Sequence, residues 1–176
     1  MKSTIYIILA VLVIISACKK DDEPNRTSGT DSINNKTYTG TTYYYYGFSF
    51  SQAKSITTLV DPWPDIVLFV NIDTPPPRLT FQTNNFKPSF SKIGDFPDEA
   101  SAKQAFSNLQ TVGTLQWTEM ADPIQDNQVW VYRSENEAYT KIRIISTINE
   151  QREGVPYGEC TFEWVHQPDG SSTFPE

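Results

Sequence analysis

The stretch Gly158–Gln167, GECTFEWVHQ, decides the fold of this chain. Side chains that suit a protein core stand at every second position, and mostly polar side chains stand between them. Because successive side chains of a β-strand point to opposite faces of a sheet, this alternation predicts a strand with one buried face. That face comprises Cys160, Phe162, Trp164 and His166. Cys160 is expected to be a small buried hydrophobic residue rather than a reactive thiol.

Two more strands are predicted just before this stretch, over Gln128–Arg133 and Ala138–Asn149. The second strand places Ile142 on one face and Lys141 on the other. Asn149–Gly158 contains two glycines and a proline, which predicts a turn or loop. Because such short connections join antiparallel neighbours, the sheet is expected to be antiparallel.

The first half of the body carries four more strand patterns, over Thr41–Phe50, Lys54–Val60, Ile66–Ile72 and Arg78–Thr83. The pattern in Thr41–Phe50 has a period of two, which is typical of a strand. Ile66–Ile72 is an apolar run, so both of its faces are expected to be buried. Two prolines in Asp61–Asp65 predict a loop between these strands.

One helix is predicted to begin at Phe96–Glu99, where a proline and two acidic residues suit a helix start. Ala102, Phe106 and Leu109 then recur at helical spacing. The predicted fold is therefore mainly β, with antiparallel sheets in a sandwich-like arrangement and one short α-helix.

The N-terminus predicts export and lipid attachment. Lys2 precedes an apolar run over residues 5–15, and small residues follow it, as in a secretory signal peptide. The run is shorter than the roughly 20 apolar residues that span a bilayer. Ile15–Cys18, ISAC, resembles the lipobox of bacterial lipoproteins, which implies cleavage before Cys18 and acylation of that residue. The alternative is a plain signal peptide with a cysteine near its cleavage site.

The sequence therefore predicts three segments, which are a lipoprotein signal peptide over 1–17, a flexible tether over 18–40 and a β-rich domain over 41–176. The tether is assigned because its sequence is polar and nearly free of large apolar residues. Its opening, Lys19–Glu23, resembles the charged export signal of surface lipoproteins of the Bacteroidetes, and a solvated linker is the alternative. The expected location is the outer membrane, at the cell surface or on the periplasmic face.

The composition and motifs exclude several classes of function. The formal net charge of −7 disfavours nucleic acid as a partner, because binding to phosphates needs positive charge. The single histidine lies on an apolar strand face without a serine motif, and there is no glycine-rich phosphate loop. Asp122, Asp126 and Asn127 are the candidates for calcium, although such loops are usually turns. We therefore predict no catalytic residues and no metal site.

A family resemblance is carried by three segments: Val129–Arg133 (VWVYR), Tyr139–Ser146 (YTKIRIIS) and Cys160–Ser171 (CTFEWVHQPDGS), followed by Phe174. Together they resemble the C-terminal end of the HmuY-like lipoproteins. The resemblance implies a mostly β fold, a surface lipoprotein and haem binding for iron acquisition. It also implies two axial ligands to the haem iron, each a histidine or a methionine.

Three residues are candidates for ligand binding. Once the leader is removed, His166 and Met120 are the only histidine and methionine of the chain. Met120 lies near the place where the resemblance puts the second haem ligand, whereas a histidine at the position of His166 is more often a core-edge residue with one hydrogen bond. Trp63 lies in the stiff loop Asp61–Asp65, where an indole can stack on a sugar ring or a flat ligand. The alternative for Trp63 is a lid that closes one end of the core.

These observations leave two functions open. The first is a surface-exposed binding module, anchored in the membrane through Cys18, for haem or another planar or hydrophobic ligand. The second is a non-enzymatic structural or accessory subunit of an envelope complex, with a protein partner and no small ligand.

Overall fold

The structure, a computed structural model, describes residues 26–73 and 75–175. The predicted leader, Cys18 and the charged run Lys19–Glu23 lie outside these residues. The described part forms ten strands and one helix: β1 (Ser28–Asn34), β2 (Tyr46–Ser49), β3 (Lys54–Thr57), β4 (Ile66–Asn71), β5 (Arg78–Gln82), β6 (Phe90–Asp95), α1 (Glu99–Asn108), β7 (Met120–Ala121), β8 (Gln128–Arg133), β9 (Tyr139–Arg152) and β10 (Val155–Gln167).

The strands form two five-stranded sheets, and all pairings are antiparallel. The first sheet has the order β1-β10-β9-β8-β6, and the second has the order β3-β2-β4-β5-β7. Buried side chains of both sheets form one core, and α1 packs on β8 and β9. The predicted class, mainly β with antiparallel sheets and one short helix, is confirmed.

An aromatic cluster joins the two sheets. Phe48 packs edge-on against Phe162 and Trp164, with ring centroids 5.4 and 5.5 Å apart. Phe50 packs against Trp164 at 5.6 Å, and all four rings are buried. Removing one such ring costs about 3–5 kcal/mol in other proteins, so this cluster is a major source of stability. The buried face predicted for β10, including His166, is confirmed.

The opposite face of the first sheet is buried in part, where α1 packs on β8 and β9. Lys141 lies on the face opposite Ile142, as the alternation predicts, but it is only 4% exposed. Its Nζ donates hydrogen bonds to the carbonyl oxygens of Phe106 and Leu109, at 3.1 and 3.0 Å. A cation near the last carbonyls of a helix is favourable, so Lys141 attaches the C-terminal end of α1 to the sheet. At the other end, Asp98 caps α1 by accepting the N–H of Ser101 at 2.7 Å.

Lys141→Met should lower the free energy of unfolding by about 2 kcal/mol, because two hydrogen bonds from a charged donor are lost while the apolar stem is kept. Lys103→Met, on the exposed side of the same helix, is the matched control and should change stability little. Urea unfolding followed by circular dichroism measures both variants. Equal stability of Lys141→Met and the wild type would contradict the role given to Lys141.

The prediction of a flexible tether over residues 18–40 is wrong for the part that the structure describes. Ser28–Asn34 is the edge strand β1, and it pairs with β10 along its whole length. Backbone pairing with β10 holds this segment in the sheet, because Ile33 is the only large apolar side chain that β1 adds to the core. Asp31 also accepts the indole N–H of Trp164 at 2.8 Å. The folded domain therefore begins well before residue 41.

Other boundaries also differ from the prediction. The turn between β9 and β10 is only Glu153-Gly154, and residues with positive φ form it. Such a turn suits the twist of a hairpin, so both strands extend into the segment Asn149–Gly158 that was predicted to be a loop. Strand β2 begins at Tyr46, although the period of two in Thr41–Phe50 predicted a strand over the whole of that segment. The strands β6 and β7 were not predicted.

Candidate ligand-binding site

Asp65 attaches the proline-rich loop Asp61–Asp65 to the core. Its backbone N–H donates to the carbonyl of Phe48 at 2.9 Å. Its carboxylate accepts the backbone N–H of Phe50 at 2.7 Å and the hydroxyl of Tyr132 at 3.3 Å. The loop is therefore held by the segment whose aromatic rings join the two sheets.

Gly47 allows the same loop to pack closely on β2. A Cβ atom at this position would lie 2.3 Å from the carbonyl oxygen of Ile66 and 2.7 Å from the ring of Pro64. These distances are too short for any other residue, so the glycine is required by a close approach of backbone. Pro64 is buried as a result, whereas the preceding Trp63 remains 51% exposed. Half of the surface of Trp63 is therefore open to the solvent.

Trp63 forms one wall of a cleft of about 300 Å³, which we call the aromatic cleft. Phe69 and Tyr45 belong to it and pack edge-on with ring centroids 4.7 Å apart. Four of its aromatic members are exposed to the solvent, in the decreasing order Tyr43, Phe86, Trp63 and Tyr44. The complete set of aromatic lining residues is Tyr43, Tyr44, Tyr45, Trp63, Phe69 and Phe86.

The tyrosines lie in the cleft because β2 begins late. The hydroxyl oxygen of Thr41 accepts the backbone N–H groups of Tyr43 and Tyr44, both at 3.0 Å. This local hydrogen bonding competes with the pairing of a strand, so the chain turns before β2. The first part of the segment Thr41–Phe50, whose period of two predicted a longer strand, is therefore a loop.

Phe86 is held toward the solvent in a conformation that bulky residues rarely adopt, with φ at +53° and 58% exposure. Asn85 fixes this loop: its side-chain oxygen accepts the hydroxyl of Thr83 at 2.8 Å and the N–H of Lys87 at 3.1 Å. Its side-chain amide donates to Glu135. These hydrogen bonds therefore hold the loop in the shape that presents Phe86 to the solvent.

A second cleft of about 370 Å³ lies against the other residues of the loop, and we call it the polar cleft. It shares Trp63, Thr83 and Asn84 with the aromatic cleft. Its polar side chains come from four loops and from the strands β2 and β8. They are Ser49, Ser51, Asp61, Asp65, Thr83, Asn84, Asn85, Tyr132, Ser134, Glu135 and Asn136.

Burial makes Asp65 an unusual carboxyl group. Loss of hydration raises its pKa from 3.8, against the opposing effect of the hydrogen bonds from Phe50 and Tyr132. Burial, followed by the negative charge of Asp65, also raises the pKa of the Tyr132 hydroxyl. Asp65 is therefore a structural carboxyl whose charged form is disfavoured in the folded state.

This shift predicts a pH dependence. A carboxyl whose pKa is higher in the folded state than in the unfolded state adds stability at low pH and loses it as the pH rises through the folded value. The wild type should therefore gain stability relative to Asp65→Asn as the pH falls from neutral toward 3.8, the value for an unperturbed carboxyl. Asp61→Asn, on the same loop, controls for the loss of one negative charge. Denaturant unfolding across this range measures the difference, and an unchanged or narrowing difference would contradict the burial argument.

The structure does not bring the three predicted site residues together. Trp63 lines both clefts described above. Met120 lies in β7 and lines a third cleft with Lys92 and Trp130. Its Sδ accepts a hydrogen bond at 3.1 Å from Gln82, a residue of the aromatic cleft.

His166 lies in the core. Its Nδ1 is hydrogen-bonded to the hydroxyl of Thr140 at 2.8 Å, and its ring stacks on Phe50. Burial lowers its pKa from 6.5, which favours the neutral ring. The interpretation of this residue as a core-edge histidine with one hydrogen bond fits this position.

The described residues contain no group of three or more His, Cys, Asp or Glu side chains that could hold a metal ion. Of the candidates for calcium, Asp122 pairs with Arg78 at 3.3 Å and Asp126 accepts the hydroxyl of Thr147 at 2.7 Å. Cys160 is buried with a free thiol, and burial raises its pKa well above the usual value. It therefore has the surroundings of an unreactive core cysteine.

No protein-family model, no curated protein and no solved structure matches this chain. Within residues 26–73 and 75–175, no helix has both the length and the apolar character needed to cross a membrane. The site therefore has to be interpreted from its own geometry. Among the residues that line the two clefts, the sequence analysis identified only Trp63 as a binding candidate. Asn84, Glu135 and Asn136 are distant from Trp63 in the sequence, and only the fold brings them to the cleft beside it.

Proposed function

We propose that this protein is a lipoprotein of the cell envelope whose β-sandwich binds a ligand with a flat apolar face. The observation that carries the proposal is the aromatic cleft, in which Trp63 and Phe86 are more than half exposed beside three successive tyrosines. Ligand sites are concave, mainly apolar and lined by aromatic side chains with a few polar groups. The cleft has this composition.

The cleft is supported by rigid neighbours. Trp63 stands between Pro62 and Pro64, and Asp65 attaches the loop to Phe50 in the core. Because proline fixes its own φ and restricts the residue before it, the backbone around Trp63 is restrained before a ligand arrives. A site formed in advance loses less conformational entropy on binding, which favours affinity.

Haem is the ligand that the resemblance to HmuY-like lipoproteins implies. Met120 is the one candidate axial ligand in contact with a residue of the cleft, through Gln82. However, within residues 26–73 and 75–175 neither Lys nor Arg lines the aromatic or the polar cleft. The propionate groups of haem would therefore have no cationic partner there. This favours an uncharged planar ligand over haem.

The binding proposal predicts a specific effect of Trp63. We expect Nile red, an uncharged planar dye, to bind saturably to the secreted polypeptide, residues 18–176 carrying Cys18→Ser to prevent acylation. Trp63→Leu should weaken this binding roughly tenfold, equivalent to about 1.4 kcal/mol, because the stacking surface is lost. Fluorescence titration measures the affinity.

The matched control is Trp117→Leu, which removes a partly exposed tryptophan that lies over Arg133 and lines neither cleft. Its affinity for the dye should equal that of the parent polypeptide. Met120→Leu with haemin is the second arm, and a Soret band that depends on Met120 would make haem the ligand. If the dye did not bind saturably, or if both tryptophan variants lost the same amount of affinity, the proposal that the aromatic cleft binds a ligand would be refuted. The alternative of an accessory subunit would then be favoured.

The anchor is a separate part of the proposal, supported by the sequence Ile15–Cys18 alone. In cells fed an alkyne fatty acid, the wild-type protein should incorporate the label and fractionate with the outer membrane. Cys18→Ser should abolish the label, whereas Cys160→Ser should keep it, because Cys160 is buried and free. Mass spectrometry of the labelled protein locates the acyl chains. An unlabelled wild-type protein that retains residues 1–17 would contradict the anchor.

A further inference from the structure

We infer that the aromatic and polar clefts together form a binding site for an uncharged saccharide, with one sugar ring stacked on Trp63. This inference rests on the proposed function, since it uses the same cleft and names the class of ligand. Three features of the described residues carry it: the shared wall, the hydrogen-bonding groups and the charge of the lining.

The shared wall is Trp63, which lines both clefts and is half exposed. An aromatic ring has a negative face, and the C–H groups along one side of a pyranose ring carry partial positive charge. An exposed indole on a backbone restrained by two prolines is suited to stack on such a ring. A sugar in this position has its hydroxyl groups around the edge of the indole, where they need polar partners.

The polar cleft supplies those partners. Asp61, Asn84 and Asn136 line it and are exposed to the solvent. Within the part of the chain that the structure describes, no hydrogen bond engages their side chains. A sugar hydroxyl both donates and accepts, so it matches a carboxylate acceptor and an amide that has both functions. Asn84 lines both clefts, so it lies next to the stacking position.

The charge of the lining selects against anionic ligands. The exposed side chains of Asp61 and Glu135 line the polar cleft, and among the residues that the structure describes no Lys or Arg lines either cleft. Lys87, which lies nearby, pairs with Glu135 at 3.1 Å. A phosphate, a uronic acid or a haem propionate would therefore meet negative charge without a counter-ion. A neutral saccharide has flat apolar faces and hydroxyl groups but no charge, which matches all three features.

The test is a carbohydrate array followed by calorimetry with the secreted polypeptide, residues 18–176 carrying Cys18→Ser. The probes are neutral gluco-, manno-, galacto- and xylo-oligosaccharides, with oligogalacturonates as the charged comparison. At least one neutral series should bind, and the oligogalacturonates should not. Trp63→Leu should weaken saccharide binding roughly tenfold, and Trp117→Leu should leave it unchanged.

A second variant separates this inference from the proposed function. Asn84→Ala combined with Asn136→Ala removes two exposed amides of the polar cleft, and it should weaken saccharide binding while leaving Nile red binding intact. Asn108→Ala, at the exposed end of α1, is the control. If Nile red binds through Trp63 but no neutral saccharide binds, or only charged ones do, the saccharide inference fails and the proposed function stands. If neither probe binds through Trp63, both fail.

Discussion

The hydrogen bond from the backbone N–H of Phe50 to the carboxylate of Asp65 connects the stability of this protein to its candidate site. On one side, Phe50 belongs to the aromatic cluster that holds the two sheets together. On the other side, Asp65 ends the loop that carries Trp63. The close approach permitted by Gly47 strengthens the same connection. The loop that carries the exposed indole is thus attached to the buried core.

This connection has an energetic consequence. Asp65 is a largely buried carboxyl whose neighbours donate hydrogen bonds but supply no full positive charge. A buried charge without a counter-ion is costly, and exposed aromatic surface around Trp63 and Phe86 adds no core packing. Residues that lower stability and yet persist in a rigid arrangement are typical of binding sites, where function and stability make different demands.

The sequence predicted the features that depend on local periodicity. The strands over Gln128–Arg133 and around Trp164 and the single helix follow from alternation or from helical spacing. The features that depend on distant partners were not predictable. Strand β1 is polar and is a strand because it pairs with β10 and receives the indole N–H of Trp164. In the candidate site, Trp63 was identified from its proline neighbours, whereas Asn84 and Asn136 are ordinary loop residues until the fold places them in one cleft.

The central claim is that the Trp63 loop is rigid because Asp65 attaches it to the core. Nuclear magnetic resonance tests this most directly, through hydrogen exchange of the Phe50 amide and relaxation of the Trp63 indole. The Phe50 amide should exchange as slowly as the core, on global unfolding only, and the indole should have an order parameter near ~0.85. Fast exchange at Phe50 together with an indole order parameter below ~0.6 would contradict the account.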